Sequence, residues 1–137
     1  MPPYRGKRRL LRYLKGNFMF KADDYRLRLK SLSETLAEAK YALDIDNIGD
    51  KLKELRAEQE KPEVWNDLEK SKHIGREISV IEGKIAAYNK GESALKDAQA
   101  FVHLIEEAAA ERLVPELEKL INSAESDIEE MRIKALL

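Results

Sequence analysis

The segment that decides the fold spans residues 74–88 and reads IGREISVIEGKIAAY. Its largest apolar side chains recur at steps of four, three, four and three residues, at Ile74, Ile78, Ile81, Ile85 and Tyr88. Because an α-helix completes a turn every 3.6 residues, this spacing places all five on one face. The segment is therefore predicted to be a helix whose narrow apolar stripe packs against a second helix.

The same spacing continues towards the C-terminus in two further stripes. The first comprises Leu95, Ala98, Val102 and Ile105, and the second comprises Leu117, Ile121, Ala124, Ile128, Met131 and Ala135. Between residues 88 and 95 the phase slips by one, which predicts a bend or fray near residues 89–92. Pro115 suits the first turn of a new helix. We expect the stripes over 74–105 and 117–135 to form an antiparallel pair, joined by residues 108–114.

Shorter helices are predicted before this pair. One has its stripe at Tyr25, Leu29, Leu32, Leu36 and Ala39, and the next has its stripe at Ile45, Ile48, Leu52 and Leu55. Asp23 or Asp24 can cap the start of the first helix, and residues 43–50 offer turn chemistry between the two. The expected fold class is all-α, an antiparallel helical bundle with a long coiled-coil-like helical pair.

The best-marked break in the body of the chain lies at residues 61–67. Pro62 lacks an N–H donor and disfavours a helical conformation at the preceding residue. Asn66, with Glu69 three residues later, resembles a capping box for the next helix. Trp65 is the only tryptophan, and it is expected to be buried under that helix as an anchor. An exposed Trp65 that binds a partner is the alternative interpretation.

Three glycines interrupt the long apolar stripe, at positions 75, 83 and 91. Each weakens a helix by about 1 kcal/mol relative to alanine. They are expected to allow close approach of a partner helix.

The charges are divided unevenly along the chain. Residues 1–21 carry seven cations and no acid, and the whole chain has a net charge of −1, so the remaining residues carry −8. Residues 1–18 are expected to be a basic flexible tail, a non-native remnant or the product of a mistaken start site. Residues 19–137 then form the helical domain. An arm that binds RNA phosphates is the alternative interpretation of the tail.

The sequence offers no constellation for catalysis, a metal or a cofactor. It contains no cysteine, its six glycines are isolated, and its two histidines, His73 and His103, are thirty residues apart. The abundant carboxylates are typical of solvated helix faces. We therefore expect no enzyme activity, no cofactor, no metal and no small-molecule substrate. The absence of cysteine fits a cytoplasmic protein. No apolar run approaches the roughly 20 residues that span a bilayer, so no membrane partner is expected.

Two stretches together resemble a known family. Residues 55–67 read LRAEQEKPEVWND and residues 131–137 read MRIKALL. Both are similar to the N-terminal domain of bacterial class I peptide chain release factors of type 2, in which a Glu-rich helix runs into a Pro-x-x-Trp-Asn turn. Pro62, Trp65 and Asn66 are the structural signature of this resemblance, which covers residues 19–137.

The resemblance implies a ribosome-docking domain of a translation termination factor. In the full-length family, later domains read UGA and UAA stop codons and trigger peptide release through Ser-Pro-Phe and Gly-Gly-Gln loops. Neither tripeptide occurs here, so the chain is expected to be truncated before those domains, by nature or by design. The implied partners are the stalk base of the large ribosomal subunit, with its protein and rRNA, and the missing C-terminal domains.

Two other functions remain open at this point. A free-standing coiled-coil adaptor or oligomerisation module would use the same stripes to bind further copies of itself. A small nucleic-acid-binding protein would act through the basic segment at residues 1–18.

Overall fold

The computed structural model describes the backbone of residues 3–136 and the side chains of residues 22–136. Within these residues the chain is helical apart from short turns and contains no strand, which confirms the predicted all-α class. The helices are α1 (Pro3–Leu43), α2 (Ile45–Gln59), α3 (Pro62–Trp65), α4 (Leu68–Ala108) and α5 (Val114–Leu136), with a 3-10 turn at Glu111–Leu113 before α5.

The predicted start of α1 at Asp23 or Asp24 is wrong, because α1 begins at Pro3 and both aspartates lie inside it. No proline follows Pro3 in this segment, and its two glycines, Gly6 and Gly16, cost roughly 1 kcal/mol each, which does not end a helix of this length. The backbone of most of the expected basic tail, residues 1–18, thus belongs to α1. Its side chains fall outside the described residues, and its role stays a prediction.

The turn between α1 and α2 is much shorter than the predicted break at residues 43–50. A single residue, Asp44, adopts a left-handed conformation with φ 52° and ψ 52°. Its carboxylate accepts hydrogen bonds from the side-chain amide of Asn47 at 2.8 and 2.9 Å. Aspartate and asparagine tolerate this conformation better than other non-glycine residues, so one such residue redirects the chain.

Helix α4 is continuous for 41 residues, so the predicted fray at residues 89–92 is wrong. Gly91 lies on the buried stripe between Tyr88 and Leu95, three residues after the first and four before the second. The apolar stripe therefore has two successive spacings of three residues, from Ile85 to Tyr88 and from Tyr88 to Gly91. This accounts for the phase slip while the helix stays continuous.

Helices α4 and α5 form the predicted antiparallel pair. Ala109 reverses the chain with φ 48°, and the Ala110 N–H donates to the Ile105 carbonyl oxygen at 3.1 Å, which closes the end of α4. Pro115 is the second residue of α5, as its missing N–H permits there. Helix α1 lies against both, antiparallel to α4, because Arg26 pairs with Glu106 while Leu36 lies near Gly91.

The apolar side chains form two clusters that share α4. The larger cluster joins α1, the second half of α4 and α5, and its most completely buried members are Ile105, Leu117, Ile121, Ile128 and Met131. The smaller cluster joins α2 and α3 to the first half of α4; it comprises Leu52, Leu55, Val64, Ile74, Ile78 and Ile81. Helix α4 is thus the common spine of a three-helix bundle and a smaller helical corner.

Candidate docking surface

The three signature residues lie together at the corner between α2 and α4. Pro62 is the first residue of α3, Trp65 is its last, and Asn66 follows directly. The expected burial of Trp65 is wrong, because its side chain is 72% exposed. Val64 fills the corner instead, at 4% exposure. A short helix can direct only one of two successive residues inward, and here the smaller one points to the core.

The indole of Trp65 is nevertheless held in place. Its Nε1–H donates to the Gln59 carbonyl oxygen at 2.6 Å, across the corner between α2 and α3. The apolar part of the ring faces solvent, and Leu68 in the first turn of α4 is also largely exposed. The corner therefore presents an exposed aromatic and an exposed aliphatic side chain three residues apart in the sequence, and a hydrogen bond holds the aromatic one.

A charged clamp joins α1 to α5. The Arg28 guanidinium donates to Glu125 at 2.7 Å and 3.0 Å, to Glu118 at 3.0 Å and to Asn122 at 3.2 Å. Burial, and then the Glu118 carboxylate, raise the pKa of Tyr25 to about 12. The Tyr25 hydroxyl and Arg28 in turn lower the pKa of Glu118. This polar cluster orients α5 against α1 and has the character of a structural contact.

The two histidines each pair with a carboxylate one helical turn away. His73 lies 3.1 Å from Glu77, and His103 lies 3.1 Å from Glu107. Both histidines are largely exposed. Among residues 22–136, no three side chains of His, Asp or Glu come together in a way that could hold a metal ion. None of the helices in the described part of the chain is long and apolar enough to cross a membrane.

An open groove at the end of the three-helix bundle is not apparent from the sequence. The groove lies where the last turn of α1, α2, the first half of α4 and the last turn of α5 meet, and we call it the end groove. Its volume is about 500 Å³. Leu43 and Ile81 form its buried floor with Ile48, while Val80 is 55% exposed on its wall.

Charged side chains surround this apolar floor. Lys51 comes from α2, and Arg76 and Lys84 come from α4. The only carboxylate among the described lining residues is Glu77, which is engaged by His73 at 3.1 Å. No pattern in the sequence brings the lining residues of the groove together, because the complete lining comes from four separate helices and only the fold makes them neighbours.

The fold and its open surfaces define an all-helical bundle protein built on a long antiparallel pair. Residues 48–137 match the family model of the PCRF domain. The chain therefore belongs to the PCRF domain family. The match covers α2 to α5 and so includes both the Trp65 corner and most of the end groove.

Curated relatives extend this assignment. The chain is 33% identical over 98 residues to peptide chain release factor 2 of Haemophilus ducreyi, which covers 72% of the chain and 27% of that protein. It is 29% identical over 118 residues to peptide chain release factor 2 of Tolumonas auensis, which covers 86% of the chain and 32% of that protein. The chain thus spans about a third or less of the relatives' length. The resemblance to type 2 release factors is confirmed.

Proposed function

We propose that the chain is a ribosome-docking domain of a translation termination factor, one that acts at UGA and UAA stop codons as part of a longer protein. Membership of the PCRF domain family over residues 48–137 carries this proposal. The names of the relatives, peptide chain release factor 2, support it.

The geometry suits a rigid attachment rather than a catalyst. At 1.5 Å per residue, the 41-residue α4 is about 60 Å long. It is clamped along its length by α1, α2 and α5. A stiff helical body that binds one place on a ribosome raises the effective concentration of any domain joined to it. Peptide release would then belong to other domains of the factor, and this domain would not be an enzyme.

The proposed partners follow from the same assignment. The domain docks at the stalk base of the large subunit, on protein and rRNA, and works in the cytoplasm together with the remaining domains of the factor. It requires no cofactor, metal or small-molecule substrate. Pro62, Trp65 and Asn66 act as a structural signature that fixes the angle between α2 and α4.

Binding of the fluorescently labelled chain to isolated ribosomal subunits tests this proposal. We expect saturable binding to large subunits and to whole bacterial ribosomes, and little binding to small subunits. Ile121→Asp supplies the control, because a charge at a fully buried position unfolds the bundle and should abolish binding. Stable self-association without ribosome binding would contradict docking and favour an oligomerisation module.

A further inference from the structure

The end groove combines an apolar floor with a charged rim. It has an apolar floor with an exposed valine, Val80, and a rim that carries more positive than negative charge. Residues 22–137 as a whole carry a net charge of about −8. A basic rim therefore stands out locally against an acidic body, and it attracts anionic groups that the rest of the body repels.

The rim cations Lys51, Arg76 and Lys84 are not engaged in ion pairs within residues 22–136. Arg26, Arg28, Arg56 and Arg132 each contact a carboxylate of the described residues. Among those same residues, no carboxylate forms a salt bridge with Lys51, Arg76 or Lys84. Their charges are therefore available to a partner.

We propose that the end groove binds an acidic amphipathic helix of a partner protein. Leucine-sized side chains on one face of that helix would fill the space over Leu43, Ile48 and Ile81. Glutamates or aspartates on its flanks would meet Lys51, Arg76 and Lys84. This protein-binding site goes beyond ribosome docking and does not depend on it.

Two observations favour a helix over other anionic partners. RNA phosphates would satisfy the cations but would leave the apolar floor and Val80 exposed to water. An extended peptide gains its affinity by adding a strand to a sheet edge, and the chain has no strand between residues 3 and 136. A helix satisfies its own backbone groups and needs only an apolar groove with complementary charges.

The direct test is fluorescence anisotropy of a labelled peptide with the full chain. The probe is an acetylated and amidated peptide of about 18 residues, with leucines at helical spacing on one face and glutamates on the other. A second peptide has the same composition with its leucines spread around the helix. A third replaces every glutamate with lysine. We expect saturable binding of the first peptide alone, weakened by added salt.

Matched variants locate the binding site. We expect the double variant Lys51→Glu/Arg76→Glu to weaken binding by about tenfold, through loss of two attractions and gain of two repulsions. The control Lys53→Glu/Arg112→Glu makes the same change in net charge outside the groove and should change the affinity less than about twofold. Val80→Glu should weaken binding similarly, while Leu104→Glu, at another exposed apolar position of α4, should not.

Circular dichroism of each variant confirms that it is folded. Three results would overturn the proposal: no binding of the acidic amphipathic peptide, equal losses in the control variants, or equal binding of the peptide with spread leucines. Tighter binding of a single-stranded RNA oligonucleotide, weakened by Lys51→Glu/Arg76→Glu, would assign the groove to RNA and also overturn it. Ribosome binding by the same variants is a separate readout, so failure of one proposal leaves the other testable.

Discussion

Asp67, at the start of α4, shows how a single residue fixes the Trp65 corner. Its carboxylate accepts hydrogen bonds from the backbone N–H groups of Glu69 at 3.1 Å and Lys70 at 3.2 Å. The predicted cap at Asn66 is wrong by one residue. Asn66 has the helical backbone angles of the preceding turn, φ −85° and ψ −6°, whereas Asp67 has the extended angles that a capping residue needs.

Replacing this cap should have a measurable cost. We expect Asp67→Ala to lower the free energy of unfolding by about 1 kcal/mol, because two N–H groups of the first turn lose their acceptor. Asn66→Ala, at the neighbouring position, is the control and should change the free energy of unfolding by less than about 0.5 kcal/mol. Urea denaturation measures both. Equal losses in the two variants would contradict the assignment of the cap to Asp67.

The exposure of Trp65 makes a second prediction at this scale. We expect Trp65→Ala to cost about 1 kcal/mol or less, since it removes one hydrogen bond and little buried surface. A buried tryptophan would cost about 3–5 kcal/mol. Acrylamide quenching of the single tryptophan should approach that of a free indole. Strong protection from quenching would show that the side chain is buried after all.

Among the elements, α4 shows which glycines matter to packing. A Cβ added at Gly91 would lie 3.2 Å from Cγ1 of Ile128 in α5, closer than ordinary contact, whereas one at Gly75 or Gly83 would meet no atom within 4 Å. The expectation of close approach is therefore confirmed at Gly91 and wrong at the other two. Of these three glycines, Gly91 is the one that lies where α1, α4 and α5 converge, and there a small residue is needed.

Alanine substitutions distinguish these glycines. We expect Gly83→Ala to raise the free energy of unfolding by about 0.5–1 kcal/mol, because alanine favours the helix and has room. Gly91→Ala raises the helix propensity by the same amount but crowds Ile128, which costs about 1–3 kcal/mol. Its net effect should therefore be a lower free energy of unfolding. Thermal denaturation compares them. A Gly91→Ala variant as stable as Gly83→Ala would contradict the tight contact.

The contact between α1 and α5 predicts a dependence on pH. Hydrogen bonds from the Tyr25 hydroxyl and from Arg28 hold the folded-state pKa of Glu118 below the ordinary glutamate value of 4.5. The stability that Glu118 contributes is therefore complete above about pH 4.5 and is lost as the pH falls through its lower folded value. Because Glu118 is partly exposed, its contribution should stay below about 1 kcal/mol.

Glu118→Gln provides the measurement. The gap in unfolding free energy between the unmodified chain and this variant should narrow as the pH is lowered from about 6 to 3. Glu116→Gln, at an exposed position in the first turn of α5, supplies the control and should show a smaller gap. If the difference in unfolding free energy between the unmodified chain and Glu118→Gln grew as the pH fell, the contact of Glu118 with Tyr25 and Arg28 would be contradicted.

The apolar stripes predicted which segments are helical far better than they predicted where each helix begins and ends. Steps of three and four residues correctly placed α4 and α5, because their buried faces depend on spacing alone. The start of α1 could not be found in this way, because the helix extends back to Pro3 for lack of a residue that would break it. The turn at Asp44 could not be found either, because a single residue, and no strong breaking residue, separates α1 from α2. The Trp65 corner was located from Pro62, but which side chain points inward depends on the angle between α2 and α4.

At the scale of the whole molecule, the apolar stripes pack against each other within a single chain. Ile78, Ile105, Ile121 and Ile128 lie buried between helices of the same molecule. An oligomerisation module would need such a stripe on its surface. We therefore expect the chain to sediment as a monomer at micromolar concentration, and a concentration-dependent increase in mass would contradict this expectation.

The docking surfaces, in contrast to the bundle, could not be predicted from spacing. Leu43 and Ile81 of the end groove belong to separate helices, and its rim comes from α2 and α4. The sequence carries only the individual residues, and their juxtaposition is a property of the assembled fold. The family resemblance pointed to ribosome docking without naming a single contact.

Directed hydroxyl-radical probing tests docking at the stalk base most directly. The chain has no cysteine, so Ser33→Cys, Ser79→Cys and Ser123→Cys, all at exposed positions, give unique attachment points for an iron chelate on α1, α4 and α5. We predict that cleavage of large-subunit rRNA clusters at the stalk base and differs among the three tethers. Absence of cleavage there, or cleavage scattered equally over both subunits, would contradict the account.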